Sequence, residues 1–157
     1  MVKILMVCLG NICRSPLAEG VMRKKLAENN IQGLVDSCGF EAFHVGDAPD
    51  PRAIKVAREN GLDISNLKAR LFEKQDFDAF DHIFVMDSGN YRDVYRAARN
   101  QTDMEKVDYL MNLVYPGKNI PIPDPYMGDM EDFRETLHMS MQAADAMIMK
   151  IKKQEKI

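Results

Sequence analysis

Along this chain, short apolar runs alternate with stretches in which apolar residues return every three or four positions. The runs KILMV (3–7), LVDS (34–37), HIFVM (82–86) and a weaker VDYLM (107–111) predict strands. Each is mostly apolar rather than strictly alternating, the pattern of a strand covered on both faces. Between them, PLAEGVMRKKLAEN (16–29), DPRAIKVAREN (50–60) and SGNYRDVYRAARN (88–100) carry helical periodicity. A last helix over residues 130–152 places Phe133, Leu137, Met141, Ala144, Ile148 and Ile151 on one stripe. Pro16 and Pro51 suit first-turn positions, and Gly61 suits the position just past a helix end. The alternation predicts an α/β fold with a four-stranded parallel sheet flanked by helices on both faces.

Composition narrows the picture. At 157 residues and 46% hydrophobic, the chain can bury one core and is too short for two ordinary domains, so 1–157 reads as a single domain whose end, 153–157, is a frayed charged tail. The net charge of −3 offers no bulk attraction to nucleic acid or to an anionic membrane. An anionic ligand must therefore be captured locally. The six-residue apolar start ILMVCL lacks the length of a signal-peptide core, and no stretch approaches the ~18 apolar residues of a membrane span. Three cysteines, an odd number, suit free thiols in a reducing, cytoplasmic setting.

The candidate chemistry begins where the first strand ends, at VCLGNICRSP (7–16). In an open parallel sheet, ligands bind beyond the carboxyl ends of the strands, and here the strand runs into a loop and then a helix N-terminus. Gly10 and Asn11 tolerate positive φ, which lets successive N–H groups curl into an anion-binding nest. The nucleotide-binding pattern GxxxxGK[ST] is absent, as is GxGxxG. This phosphate-binding loop carries a thiol at its start and Arg14 at its end instead. Amides, a helix N-terminus and a guanidinium together favour the thiolate form of a cysteine. Arg14 can grip two phosphoryl oxygens bidentately, which makes Cys8 the candidate nucleophile.

CLGNICRS resembles the C-x5-R-S loop of the low-molecular-weight protein tyrosine phosphatases. The similarity continues through FHVGDAPDPRAI (43–54), VMDSGNYRDV (85–94) and PDPY (123–126), in family order, from residue 3 into the last helix. The resemblance implies a phosphotyrosine-containing protein as substrate, a phosphocysteine intermediate, and no metal or cofactor. It assigns Asp124 as general acid. A carboxyl at the mouth of an anion site favours its protonated form, and Pro121, Pro123 and Pro125 stiffen its loop. The same Asp124, once ionised, would activate water against the phosphocysteine. Leu9, Gly10, Asn11, Ile12 and Cys13 complete the loop, and Ser15 can donate to the Cys8 thiolate. By resemblance, Asn11 holds the strained loop, Asp87 is a buried carboxylate bracing both Ser15 and Arg14, and Phe43, Tyr126 and Met127 line a deep slot that suits an aryl ring.

Competing readings are weaker. Arginine phosphatases of the same fold typically have threonine where this chain has Ile12. Thiol-linked arsenate reductases need a further cysteine pair, which a lone Cys38 cannot supply. A zinc module of Cys8, Cys13, Cys38 and His44 has poor spacing. Cys38 reads as structural, and Cys13 as either packing or a redox partner of Cys8. His44 reads as a loop histidine rather than a base, and His82 and His138 as element-end or surface residues. The acidic run DFDAFD (76–81) predicts a solvated face with Phe77 and Phe80 turned inward. Asp129, Glu131 and Asp132 suit the start of the last helix. The chain departs from the family pattern at Leu67, where many members have a histidine that contacts the loop asparagine, so Asn11 needs another partner. It departs again at Met127, where a second aromatic often follows DPY. Phe40 and Phe43 fall at variable rim positions.

Overall fold

A computed structural model describes residues 1–157. Strands β1 (Val2–Val7), β2 (Gly33–Cys38), β3 (His82–Val85) and β4 (Val107–Tyr109) pair in the order β2-β1-β3-β4, all parallel. The helices are α1 (Arg14–Glu28), α2 (Pro51–Glu59), α3 (Asp76–Ala79), α4 (Ser88–Ala97), α5 (Gln101–Met104) and α6 (Met130–Lys152). Successive side chains of a strand point to opposite faces. Ile4 and Met6 of β1 therefore join a core with α1, α2 and α6, while Leu5 and Val7 join a second core with α3, α4 and α5. Both faces of the sheet are covered, as the apolar runs require.

Helix boundaries follow local chemistry. Pro51 opens α2 behind Asp50, whose side chain accepts from Arg52 N–H, and Gly61, at φ +74°, follows its end in the left-handed region. At the start of α6, Asp129 accepts from the amides of Glu131 and Asp132, and the Asp132 carboxylate accepts from Asp129 N–H in return.

Two expectations change. The fourth strand stops at Tyr109, and Leu110–Leu113 form a 3-10 turn. Leu110, Met111 and Leu113 all enter the α1/α2/α6 core, whereas a continuing strand would divide neighbouring residues between the two faces. The acidic run is not uniformly solvated either. Phe77 and Phe80 are buried, but so is Asp76, which is held by the Arg70 guanidinium at 3.1 Å.

Chain order positions the site. From β1 the chain crosses to β2 on one side, and it later returns to β3 on the other, so the connections diverge at the carboxyl end of β1. Such a divergence opens a crevice, and the residue after β1 is Cys8.

Candidate active site

The loop from Cys8 to Arg14 is shaped by its carbonyls. Leu9 C=O accepts from Phe40 N–H (2.8 Å) and Glu41 N–H (3.2 Å), Ile12 C=O accepts from Asp50 N–H (2.8 Å), and Cys13 C=O accepts from Leu17 N–H inside α1 (3.4 Å). Across a trans peptide, C=O and N–H point in opposite directions. Tying these carbonyls on the outside turns the amides of Gly10, Cys13 and Arg14 inward. The N–H groups of Leu9, Gly10, Ile12, Cys13, Arg14 and Ser15 find no partner within the protein, and α1 has no side-chain N-cap. A ring of open donors at a helix N-terminus is an anion site.

Asn11 makes the sharp turn, with φ at +57°. Its side chain is held at three points. Nδ2 donates to Ser15 Oγ (2.8 Å) and to Ser37 Oγ (2.9 Å), and Oδ1 accepts from Arg70 N–H (3.0 Å). These are the partners Asn11 has in a chain with Leu67 where a histidine is common; Leu67 itself packs against the larger core. Proton counting then orients the hydroxyls. Ser15 accepts from Asn11, so its own O–H is free for Cys8 Sγ at 2.9 Å, and the sulfur also accepts from Asn11 N–H at 3.3 Å. Ser37 in turn donates to Glu19 Oε1 at 2.6 Å. Burial raises the Glu19 pKa, against the opposing pull of Ser37 and of the Arg23 guanidinium, which lies 2.5 Å from Oε2.

Arg14 is buried, yet lines the cavity. Nη1 donates to Asp87 Oδ2 (2.6 Å) and to Ile122 C=O (2.9 Å), leaving Nη2 3.8 Å from Asp124 Oδ2. Burial works to raise the Asp87 pKa. The Arg14 hydrogen bond and the N–H of Asn90 outweigh it and hold the carboxyl below its ordinary value. Two features of the Asp87 expectation are corrected. Its carboxylate is part-exposed at 31%, and it braces Arg14 alone, because its second oxygen caps α4 by accepting from Asn90 N–H. Ser15 belongs instead to the Asn11–Cys8 cluster.

Asp124 reaches the cavity because Ile122 N–H donates to Met86 C=O at the end of β3, docking the proline-rich loop on the sheet. Asp124 Oδ1 accepts from Tyr126 N–H at 3.1 Å, which fixes the direction of the carboxylate. The cavity measures about 170 Å³. Cys8, Gly10, Ile12, Cys13 and Arg14 form its floor, and Leu9, Glu41, Phe43, His44, Asp124 and Tyr126 its walls. Met127 is not among them: at 91% exposed it points away, so the expected slot residue is corrected to surface. The rim expectation for Phe40 changes as well, since its ring stacks on Phe72 at 5.4 Å beside the second core.

Cys13 lies in the floor, and burial, then the nearby Asp50, push its thiol pKa up, so it stays protonated. Cys38 is fully buried in the opposite core. Sequence reasoning missed Ser37, Glu19, Arg70 and Glu41, and it read His44 as a loop histidine without placing it at the cavity it lines. Only Glu19 left a trace, standing one helical turn from Ser15 on the same face.

Comparison with known proteins identifies the family. The family model for low molecular weight phosphotyrosine protein phosphatase matches residues 3–157. The Schizosaccharomyces pombe low molecular weight phosphotyrosine protein phosphatase is 41% identical over 135 residues, 84% of this chain and 85% of that one. An Entamoeba histolytica protein tyrosine phosphatase, crystallised with Hepes in the active site, superposes with a TM-score of 0.90 at 32% identity, covering 98% of this chain and 99% of the other. Vibrio vulnificus Wzb in complex with benzylphosphonate does so with a TM-score of 0.84 at 31% identity, covering 95% and 98%.

Proposed function

Because this chain belongs to the low molecular weight phosphotyrosine protein phosphatases, we propose that it hydrolyses phosphotyrosine in proteins through a phosphocysteine intermediate. One observation carries the reading: Cys8 Sγ, supplied with hydrogen bonds from Asn11 N–H and Ser15, lies on the floor of a cavity that also holds open amides, Arg14 and Asp124.

The open amides and Arg14 Nη2 receive the three non-bridging oxygens of the phosphate ester, which places phosphorus in line with Cys8 Sγ. The thiolate attacks phosphorus, the P–O bond to the tyrosine ring breaks, and Asp124 gives its proton to the departing oxygen. In the second step Asp124, now a carboxylate, takes a proton from water as that water attacks phosphorus. The S–P bond breaks and inorganic phosphate leaves. Ser15 stabilises the sulfur as nucleophile in the first step and as leaving group in the second. Asp87 and the Ile122 carbonyl hold Arg14 in one rotamer throughout.

An aryl ester is favoured because the phosphate site lies below walls that include Phe43 and Tyr126. An aromatic ring spans that depth while contacting apolar surface; phosphoserine is too short. Benzylphosphonate, an aryl ligand, is what Wzb holds. Thiol-linked arsenate reduction is disfavoured, since Cys38 is sealed in the opposite core. The experiment compares phosphotyrosine, phosphoserine and phosphoarginine peptides, with Cys8→Ser as blank. Preferential turnover of phosphotyrosine and a covalent phospho-enzyme trapped by rapid acid quench are expected, and phosphate release by Cys8→Ser would overturn the mechanism.

The floor thiols also support redox protection in a reducing, cytoplasmic setting. Hydrogen peroxide converts the Cys8 thiolate to sulfenic acid with loss of hydroxide. The Cys13 thiol then attacks that sulfur, forming the disulfide and releasing water. Cys13→Ser should retain most turnover but lose the recovery by thiol reductant that the wild type shows. Equal recovery would leave Cys13 as packing alone.

A further inference from the structure

The walls of the cavity carry charge that the chemistry above does not use. Among the lining residues, Arg14 is the only arginine or lysine, and it lies at the floor, committed to Asp87 and Ile122. Two carboxylates, Asp124 and Glu41, line the cavity with it. Glu41 sits close to the phosphate loop, since a β-carbon added to Gly10 would lie 3.8 Å from Glu41 Oε2. Its side chain is 39% exposed, so it faces whatever enters.

The neighbouring groups leave that charge available. The His44 ring stands between Glu41 Oε2, 3.5 Å from Nε2, and Asp47 Oδ2, 3.2 Å from Nδ1, so one imidazole is shared by two carboxylates. Across the mouth, Arg52 lies over Tyr126, but its guanidinium is already occupied by Asp50 and by the carbonyls of Gly128 and Tyr126. No lysine or arginine other than Arg14 is among the lining residues. A substrate thus meets a positive floor reserved for phosphate beneath a negative rim.

We propose that Glu41 sets the charge preference for the polypeptide around the phosphorylated residue: segments with lysine or arginine beside the phosphotyrosine are favoured, and acidic segments are rejected. The proposal rests on the phosphotyrosine reading above and adds its substrate class. Such rim charges act through attraction or repulsion of the incoming chain, so their effect is modest and falls with salt.

Three phosphotyrosine peptides of equal length test it, with lysine, glutamine or glutamate on both sides of the phosphotyrosine. Each kcat/KM is divided by the same enzyme's kcat/KM for p-nitrophenyl phosphate, which has no flanking chain. For the wild type, the lysine peptide should exceed the glutamate peptide by about fivefold to tenfold at low salt, the range of a few exposed charge pairs, and the ratio should shrink in 0.5 M salt. Glu41→Gln should flatten the order and Glu41→Lys should reverse it. Equal ranking of the three peptides by the wild type, or an unchanged order in Glu41→Lys, overturns the proposal. Turnover of p-nitrophenyl phosphate without turnover of any phosphotyrosine peptide would instead refute the substrate reading on which it rests.

Discussion

Around the floor of the cavity the buried polar side chains have fixed partners while the loop amides stay open: Asn11 is tied to Ser15, Ser37 and Arg70, and Arg14 to Asp87 and Ile122, all in buried or part-buried bonds of 2.6–3.0 Å. At the mouth, Phe43 is 87% exposed, Tyr126 47%, and the charges of Glu41 and Asp47 share a single histidine. The two regions lie only a side chain apart. In the floor, a buried side chain left unpaired would bear its full desolvation penalty, so those side chains are tied and hold the open amides in a rigid geometry. At the mouth, water satisfies whatever the protein does not, and residue identity is free to vary. On the proposed reading, the phosphate is gripped and attacked in the first region, and the second meets whatever polypeptide enters.

Substitutions that divide floor from mouth should fall in a steep order. The largest effect is expected from Arg14→Lys, which keeps the charge but loses the planar fork that grips Asp87, Ile122 and the phosphoryl oxygens together. Turnover should fall by about 10³ or more while thermal unfolding remains cooperative. Retention of a tenth of wild-type kcat would mean that the guanidinium geometry is not needed.

Asp124→Asn comes next, with kcat for aryl phosphates lowered by about 10² to 10⁴ and KM changed far less, as for loss of a proton donor. One limb of the pH–rate profile should flatten in the same variant. If Asp129→Asn or Asp132→Asn proved as costly, the α6 cap rather than Asp124 would be implicated.

A smaller effect concerns stability and pH. The Asp87 carboxyl is held below its ordinary pKa in the folded protein. A depressed folded value means that its contribution is present above the unfolded pKa of about 3.9 and disappears as pH falls through the folded value. Wild type should therefore exceed Asp87→Asn in stability by about 1 kcal/mol between pH 5 and 7, an amount reduced by partial exposure. The gap should close below about pH 4. Urea titrations at pH 7, 5 and 3 measure it, and a gap that widens in acid would contradict the assignment. The smallest effect is expected for Met127→Ala: less than about twofold in kcat/KM for p-nitrophenyl phosphate, because its side chain touches water rather than the cavity.

Cys8 and Arg14 could be read together from the chain alone because they stand only six positions apart, which keeps them together in any fold that follows a strand with a helix. Connectivity supplied the proximity, and the residue types supplied the chemistry. The strands and long helices were legible for a related reason: a period of two or of 3.6 is a local property, written in neighbouring residues. The end of β4 escaped that reading, since Leu110 and Met111 are as apolar as a strand demands, and only the position of α6 draws both to one side. The remaining site residues were not local at all. Ser37, Arg70 and Asp87 lie 26, 59 and 73 residues from their partners in the loop, and Ile122 lies 108 from Arg14. Family resemblance could nominate Asp87 and Asp124, but their partners, the exposure of Met127 and the wall position of Glu41 depend on the strand order β2-β1-β3-β4. Periodicity contains no information about that order: it is decided by which sheet buries the most apolar surface and satisfies its polar groups, a property of the whole chain.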